Sequence, residues 1–506
     1  MGQMVQTNSR CRNLLALIVL LSAAASIGCG GGSSSSTSKN PALNPVQTEN
    51  AKAGDPNWLP TNIAKQSEIE GYASAVSVNR GGSIQFFVNT ADASFDLDIY
   101  RMGWYGGAGA RRMMSTVTLP GTRQPMPTPD PATGLIECQW TNPYTLNVPN
   151  NVSDPTDWLS GIYLARLTGI GSGKQSFIVF VIRDDARPAD ILFQSSITTY
   201  EAYNDWGGLS LYTTPPAYKV SFNRPYHRDW GAGDFMEWEI NMVRFLEREG
   251  YDATYSTDVD THEQGSLLLA HKAFLSVGHD EYWTWQMRDN VEGARDQGVN
   301  LAFFAANVSY WQIRFEPSLV TGDADRTIVC YKLDAPTKDP YYSDGKSDHL
   351  HLVTTQFRLP PVNRPENAMV GIMYANARVA GDIVVTDPSN WVFQNTGVQS
   401  GQHLTGLLGY EVDHTFPGSP SSLVILAQSP YVPGSGEFGG KASQRYIANT
   451  TEYTSSGNST VFAAGSMQWN WGLDDFGVDH AAMTDGVAQQ ATRNILQQFG
   501  ATVPGR

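Results

Sequence analysis

Residues Lys272–Trp285 read K-A-F-L-S-V-G-H-D-E-Y-W-T-W. A short apolar run, Ala273–Val277, stops at Gly278 and is followed at once by His279, Asp280 and Glu281. A continuous apolar run bounded by a glycine is the pattern of a strand buried on both faces. Such strands belong to parallel sheets covered by helices on either side. Ligands of open α/β sheets bind just beyond the carboxyl ends of the strands, where these three polar side chains fall.

Working outward, the same pattern recurs from Ala189 onward. Ile191–Ser195 and Val299–Ala305 read as further buried strands, Ala253–Ser256 as another, and Thr460–Ala464 as a late member of the sheet. Asp234–Gly250 is predicted as a helix with Asp234 as N-cap and Gly250 as its stop. Thr284–Gln297 and Thr484–Phe499 are predicted as helices closed by Gly298 and Gly500. Strands alternating with helices give a parallel α/β sheet. Between Glu316 and Gly457 the alternation breaks down into Pro-, Asp- and Gly-rich sequence, read as a large insertion.

Ahead of this part, residues 61–187 carry a β signal. Ala75–Val78, Ser83–Asn89, Phe95–Arg101, Ile162–Leu167 and Ser176–Ile182 are short apolar or alternating segments separated by Gly and Pro clusters. They predict a β-sandwich, immunoglobulin-like, ending at the charged exit Arg183–Pro188. The α/β part then occupies 188–506.

The amino terminus reads as a targeting segment. Arg10 and Arg12 precede an apolar run of 14 residues, Leu14–Ile27, which is short for a membrane span. Ser26-Ile27-Gly28-Cys29 resembles a bacterial lipobox with Ser26 in place of the usual leucine. The expectation is a lipoprotein signal over 1–28, a lipidated Cys29 that anchors the chain to a membrane of the cell envelope, and a Gly/Ser-rich tether over 29–60. A formal net charge of −15 argues against nucleic acid as a partner. Cys138 and Cys330 could pair in an oxidising compartment, and the sequence leaves both that bond and a homo-oligomer open.

Three strands end in polar clusters: T-T-Y-E-A-Y-N-D-W-G-G from Thr198, H-D-E from His279, and A-N-V-S-Y-W from Ala306. If the strands are parallel, Tyr200, Glu281 and Asn307 emerge on one edge. The chain has no G-x-S-x-G elbow, no H-E-x-x-H and no cysteine before a helix start, which argues against serine, zincin and thiol chemistry. Carboxylate and phenolate oxygens are hard ligands and favour a hard cation such as Fe(III). Trp206, Tyr282, Trp311 and Trp471 are candidate pocket walls, with core packing as the competing role.

The segments T-T-Y-E-A-Y-N-D-W-G-G, G-H-D-E-Y-W, F-F-A-A-N-V-S-Y-W-Q-I-R, G-Y-E-V-D and A-A-G-S-M-Q-W-N-W-G-L-D-D resemble the large subunit of N,N-dimethylformamidase, in its C-terminal domain. The resemblance implies a glutamine-amidotransferase-like (flavodoxin-like) α/β fold and hydrolysis of a small N-substituted amide. It also implies a mononuclear iron held by two tyrosines and one glutamate. Carried over by motif, Tyr200 and Glu281 are expected as metal ligands, with Tyr163 as the best match for the second tyrosine and Tyr203 and Tyr282 as alternatives. His279, Asn307 and Glu411 are expected as the acid/base and orienting groups. The family enzyme works with a small subunit that nothing in this chain replaces. The competing reading is an exported binding protein that recognises a carbohydrate or an envelope component.

Overall fold

Ala273–His279 is a strand buried at every position. It pairs in parallel with Ile191–Ser195 on one side and Asn300–Ala306 on the other. Ala253–Thr257 lies outside the first neighbour and Thr460–Ala463 outside the second, both parallel. Two antiparallel strands, Tyr446–Thr454 and Val424–Tyr431, extend the sheet to seven. The computed structural model describes residues 42–432, 445–477 and 483–505. The signal segment, Cys29 and the tether up to residue 41 lie outside the described residues.

Successive side chains of a strand point to opposite faces. Ala273, Leu275 and Val277 accordingly join one core, with Ile240, Met242, Phe245 and Leu246 of the helix Ile240–Glu249 and Ile495 and Leu496 of the helix Gly486–Gln498. Phe274 joins a second core with Phe303, Val461 and Met287, Val291 and Ala294 of the helix Trp285–Asp296. Helices therefore cover both faces, which is why the strand carries no polar alternation. Each fully buried Leu, Val or Phe contributes about 1.5–3 kcal/mol relative to exposure.

The helix predicted over Asp234–Gly250 is two pieces, Phe235–Trp238 and Ile240–Glu249. The break falls at Glu239, whose carboxylate accepts the Ser195 hydroxyl at 2.8 Å and the Ser196 N–H at 2.9 Å. Asp234 does not cap: its carboxylate pairs with Arg228 at 2.6 Å. Gly250 does close the second piece in the left-handed conformation.

The amino-terminal β part consists of two sheets. One holds Ile69–Ala73, Ser83–Thr90 and Tyr144–Asn147; the other is built on Ser94–Met102, Gly161–Gly169 and Gln175–Arg183. Ile84, Phe86 and Val88 of the first meet Leu97, Ile99, Tyr163 and Phe180 of the second in a shared core. The chain as a whole is thus mixed α and β. The opposite face of the second sheet, through Tyr100, Ile162, Leu164 and Phe177, enters the same core as the parallel sheet, so apolar packing runs unbroken across Arg183–Pro188. Arg101, wholly buried, reaches across to Glu247 at 2.7 Å, and Tyr255 donates to the same carboxylate at 3.0 Å.

One expectation changes here, and the open question of the cysteines closes. Residues 42–57, read as tether, hold a capped helix, Pro45–Asn50, whose Glu49 is buried against Arg111, and Trp58 beyond it packs in the core. A six-residue helix has too few apolar positions to show a period, which is why the sequence concealed it. Cys138 and Cys330 are both buried free thiols.

The region 316–457 contributes the long hairpin Met373–Val384 and His403–His414. Together with the short segments around Trp311–Glu316 and Thr327–Val329 it stands at the carboxyl edge of the parallel sheet.

Candidate active site

Gly278 is the hinge of the site. Its φ of 72° is left-handed, and a Cβ there would lie 2.5 Å from Trp238 Cβ and 2.8 Å from the Trp238 carbonyl oxygen. Only glycine takes this turn against that neighbour at no steric cost. The turn sends Asp280 inward and Glu281 outward. Asp280 accepts from Gln194 Nε2, the Ser276 hydroxyl and Trp283 Nε1 at 2.7–2.8 Å, and so ties the turn to two strands. Its role is to hold the turn.

Glu281 receives two phenols. Tyr203 OH donates to Oε2 at 2.8 Å, and Tyr212 OH lies 3.1 and 3.0 Å from the two oxygens. Tyr282 OH donates to Tyr212 OH at 2.6 Å from behind. The Tyr203 and Tyr212 rings stack with centroids 4.1 Å apart. Lys332 places its ammonium 3.1 Å from the Tyr212 ring centroid and donates to the Leu211 carbonyl at 3.1 Å.

His279 Nε2 stands 3.4 Å from Glu281 Oε2 and 3.2 Å from Glu411 Oε2, at ion-pair range of both but aligned for a hydrogen bond to neither. Asn307 Nδ2 donates to Glu411 Oε2 at 2.8 Å, and its backbone N–H donates to Asp413 at 2.9 Å. Asn307 also has a left-handed φ of 57°, and its Oδ1 is buried without a partner. Two adjacent strand ends thus deliver His279, Glu281 and Asn307 side by side, and the hairpin strand His403–His414 supplies Glu411.

The electrostatics follow from burial and from the two carboxylates. Burial opposes charge on His279, but Glu411 and Glu281 outweigh it and push the imidazole up to about 10. Burial likewise opposes charge on Glu281, yet His279, Lys332 and the Tyr203 hydroxyl bring it below the ordinary carboxylate range. Burial and the neighbouring Glu281 charge hold Tyr203 and Tyr212 well above the usual phenol range. A bound cation inverts such logic, because it is then the largest local charge.

Among the described residues no group of three or more His, Cys, Asp and Glu could hold a metal. Any metal here would rest on phenols plus one carboxylate. Tyr203, Tyr212 and Glu281 bring hard oxygens together at hydrogen-bond distance, and the His279 imidazole and the unpartnered Oδ1 of Asn307 lie close by. That donor set fits a hard trivalent ion.

Two expected ligands fall elsewhere. Tyr200 sits one turn earlier on the helix Ile197–Tyr203. Its hydroxyl lies 3.4 Å from Ser195 Oγ, and its ring abuts Gly233, in the core beneath the sheet edge. Tyr163 is central in the β part: it donates to the Leu159 carbonyl at 2.6 Å and stacks on Trp158. Neither contacts Glu281; the phenols that do are Tyr203 and Tyr212. Tyr203 was an alternative on sequence grounds, and Tyr282 stands behind Tyr212. Tyr212 and Lys332 were missed. Tyr212 lies in the Gly- and Pro-rich loop between Gly207 and Pro216, where no periodicity points to a side chain.

These groups open into a cavity of about 720 Å³ walled by Tyr203, Tyr212, Trp311, Lys332 and Glu411. Of the other expected walls, Trp206 binds Glu70 in a separate cluster, and Trp471 stacks on Trp238 in the core.

Sequence comparison places this geometry among known proteins. Over 124 residues the chain is 30% identical to the N,N-dimethylformamidase beta subunit of Alcaligenes sp and 31% identical to that of Paracoccus aminophilus. Each match spans 24% of this chain and 16% of the relative's length. A family profile matches residues 96–485, most of the chain and including much of the β part as well as every residue of the cluster. On that match the chain belongs to the N,N-dimethylformamidase beta subunit-like, C-terminal family.

Proposed function

We propose that the chain is an iron-dependent hydrolase that cleaves the C–N bond of an amide at Glu281. The observation that carries this reading is the convergence of two phenols on one buried carboxylate beside a His–Glu–Asn set. Tyr203, Tyr212 and Glu281 would hold the metal. When bound, it would supply Lewis-acid polarisation of the amide carbonyl.

The chain's own groups then have separate tasks. Glu411, oriented by Asn307, accepts the proton of the attacking water at a carboxylate oxygen. His279, kept protonated by its two carboxylate neighbours, donates from Nε2 to the amine nitrogen as the C–N bond breaks. One water is consumed, and a carboxylic acid and an amine leave. Asn307 Oδ1 offers an acceptor for a substrate N–H. Buried walls around Glu281 exclude bulk water and strengthen each of these interactions.

The strand order supports the finer reading of the fold. Numbered by sequence, the five parallel strands run 2-1-3-4-5 across the sheet, the doubly wound flavodoxin-like order, with the site at their carboxyl edge.

Metal analysis and the visible spectrum of the purified chain test the proposal, together with amine release from a panel of amides. Near-stoichiometric iron with a tyrosinate charge-transfer colour, lost in Tyr203→Phe, Tyr212→Phe and Glu281→Ala, is the expected result. A colourless protein that takes up no iron and releases no amine would leave the binding-protein reading in its place.

A further inference from the structure

We propose that the amide taken by this site carries a bulky apolar group, aromatic or long-chain, and that the stacked rings of Tyr218 and Tyr331 seat it together with Leu333; the proposal rests on the hydrolase reading above. The first observation is size. Cavities of roughly 300–1,000 Å³ enclose drug-sized ligands. At about 720 Å³ this one is far larger than a dialkylamide of a few heavy atoms requires. A substrate that fills it extends well beyond the reacting bond.

The second observation is how the outer wall is built. Lys219–Ser221 pairs antiparallel with Thr327–Val329, and the Cys330 N–H continues the ladder by donating to the Tyr218 carbonyl at 2.9 Å. The residues that flank this pairing are thereby held side by side. Tyr218 and Tyr331 stack with ring centroids 5.1 Å apart and planes 27° from parallel. The Tyr218 hydroxyl donates to Asp334 at 2.7 Å. A phenol whose polar tip is satisfied in this way offers the rest of its ring as apolar surface. Both rings line the cavity, and each is half-buried.

The third observation is where exposed apolar side chains gather. Leu333 is 60% exposed and Tyr212 and Tyr410 are each 43% exposed, and all three line this cavity. A single exposed leucine carries no message, but exposed apolar residues gathered on one concave surface mark a ligand-binding groove. Leu333 also follows a left-handed residue, Lys332, whose φ is 54°. Strained backbone of this kind persists where the surrounding fold enforces it, and it clusters at ligand clamps. Tyr212 carries the same wall to the reaction centre, with its hydroxyl 3.0 Å from Glu281 Oε2. An apolar group joined to the amide is therefore covered from the reacting bond outward. Binding of such a remote, non-reacting part of the substrate raises kcat/KM.

The test measures kcat/KM on the full chain loaded with iron along two series: N-alkylformamides from ethyl to hexyl, and N-methylalkanamides from propanoyl to octanoyl. The expected result is a rise of about fourfold per methylene in at least one series. Leu333→Ser and Tyr331→Ala should flatten that rise. A folding defect would lower every member alike and leave the slope, so the slope reports the wall itself. A flat or falling dependence in both series, or a rise that the two substitutions leave as steep, overturns the proposal. If no amide is turned over, tryptophan-fluorescence titration with the same compounds decides. Affinity that climbs with chain length, and loses the climb in Leu333→Ser, upholds the apolar site while the hydrolase reading fails. Affinity independent of length, a climb that Leu333→Ser leaves intact, or no binding overturns both.

Discussion

The floor and the roof of this site are built on different principles. The floor comes from the ends of two adjacent parallel strands, whose register sets His279, Glu281 and Asn307 beside one another. The roof comes from irregular sequence: Tyr212 on a Gly/Pro-rich loop, Lys332 on a left-handed turn, Glu411 and Arg378 on a bulged hairpin. A sheet edge fixes positions by hydrogen-bonded ladders shared with the core. A roof of loops can be re-aimed with little disturbance beneath it. The proposed reaction would then draw on both: His279, Glu281 and Asn307 from the floor, Tyr212 and Glu411 from the roof.

The largest test of this contrast is at the floor. Replacing His279 with Gln should lower kcat by about 10²–10⁴-fold, the range for a lost general acid, with iron content unchanged. A variant that instead loses its metal would show that His279 belongs to the metal-holding set. Gly278→Ala follows. The added methyl meets Trp238 in a left-handed backbone. A stability loss of about 2–4 kcal/mol is expected from overpacking and strain together, read by urea denaturation.

Tyr203→Phe against Tyr200→Phe sharpens the comparison within one helix. The first should abolish the charge-transfer band. The second should keep it and cost about 1 kcal/mol of stability through a lost buried hydrogen bond. Loss of the band in Tyr200→Phe would reverse the assignment made from the geometry.

A pH effect on stability comes from Glu239, beneath the floor. Burial pushes its carboxyl up to about 8 from 4.5, against hydrogen bonds from Ser196, Tyr200 and Ser195. The folded chain therefore holds this proton more tightly than the unfolded chain. Its contribution is fully present below about pH 4.5 and is lost as pH rises toward 8. Glu239→Gln should be more stabilising relative to wild type at pH 8.5 than at pH 5, by thermal denaturation in matched buffers. Equal differences at the two values would remove Glu239 from the account. Smallest is Lys332→Met: loss of a cation over the Tyr212 ring is worth about 0.5–2 kcal/mol, seen as a modest shift of the absorption band.

The same division explains what could be read from the sequence. The parallel strands were legible because burial on both faces leaves an uninterrupted apolar run, and a strand end followed by polar residues marks a sheet edge. His279, Glu281 and Asn307 followed directly. Glu411 came only through a motif, since nothing in the spacing of a hairpin more than a hundred residues away announces that it folds back. The tyrosines were hard to sort for a related reason. Tyr200 and Tyr203 share one short helix, and only the packing of Tyr200 on Gly233 decides which of them faces the cavity. The helix break at Glu239 was invisible, because the apolar face continues through it while the carboxylate is claimed by Ser195 and Ser196.

The buried pair of Arg101 and Glu247 bears on how this protein can be taken apart. The guanidinium lies on a strand of the β part and the carboxylate on a helix of the parallel sheet, and Tyr255 completes the set. A chain begun at residue 188 would expose the apolar face that Tyr100, Ile162 and Phe177 cover, and would leave Glu247 with no cation beside it. Each large apolar side chain so uncovered forfeits about 1.5–3 kcal/mol, a large fraction of the margin on which a folded protein rests. The two halves are thus inseparable as reagents: transplanting the parallel sheet into another scaffold means bringing the β part with it.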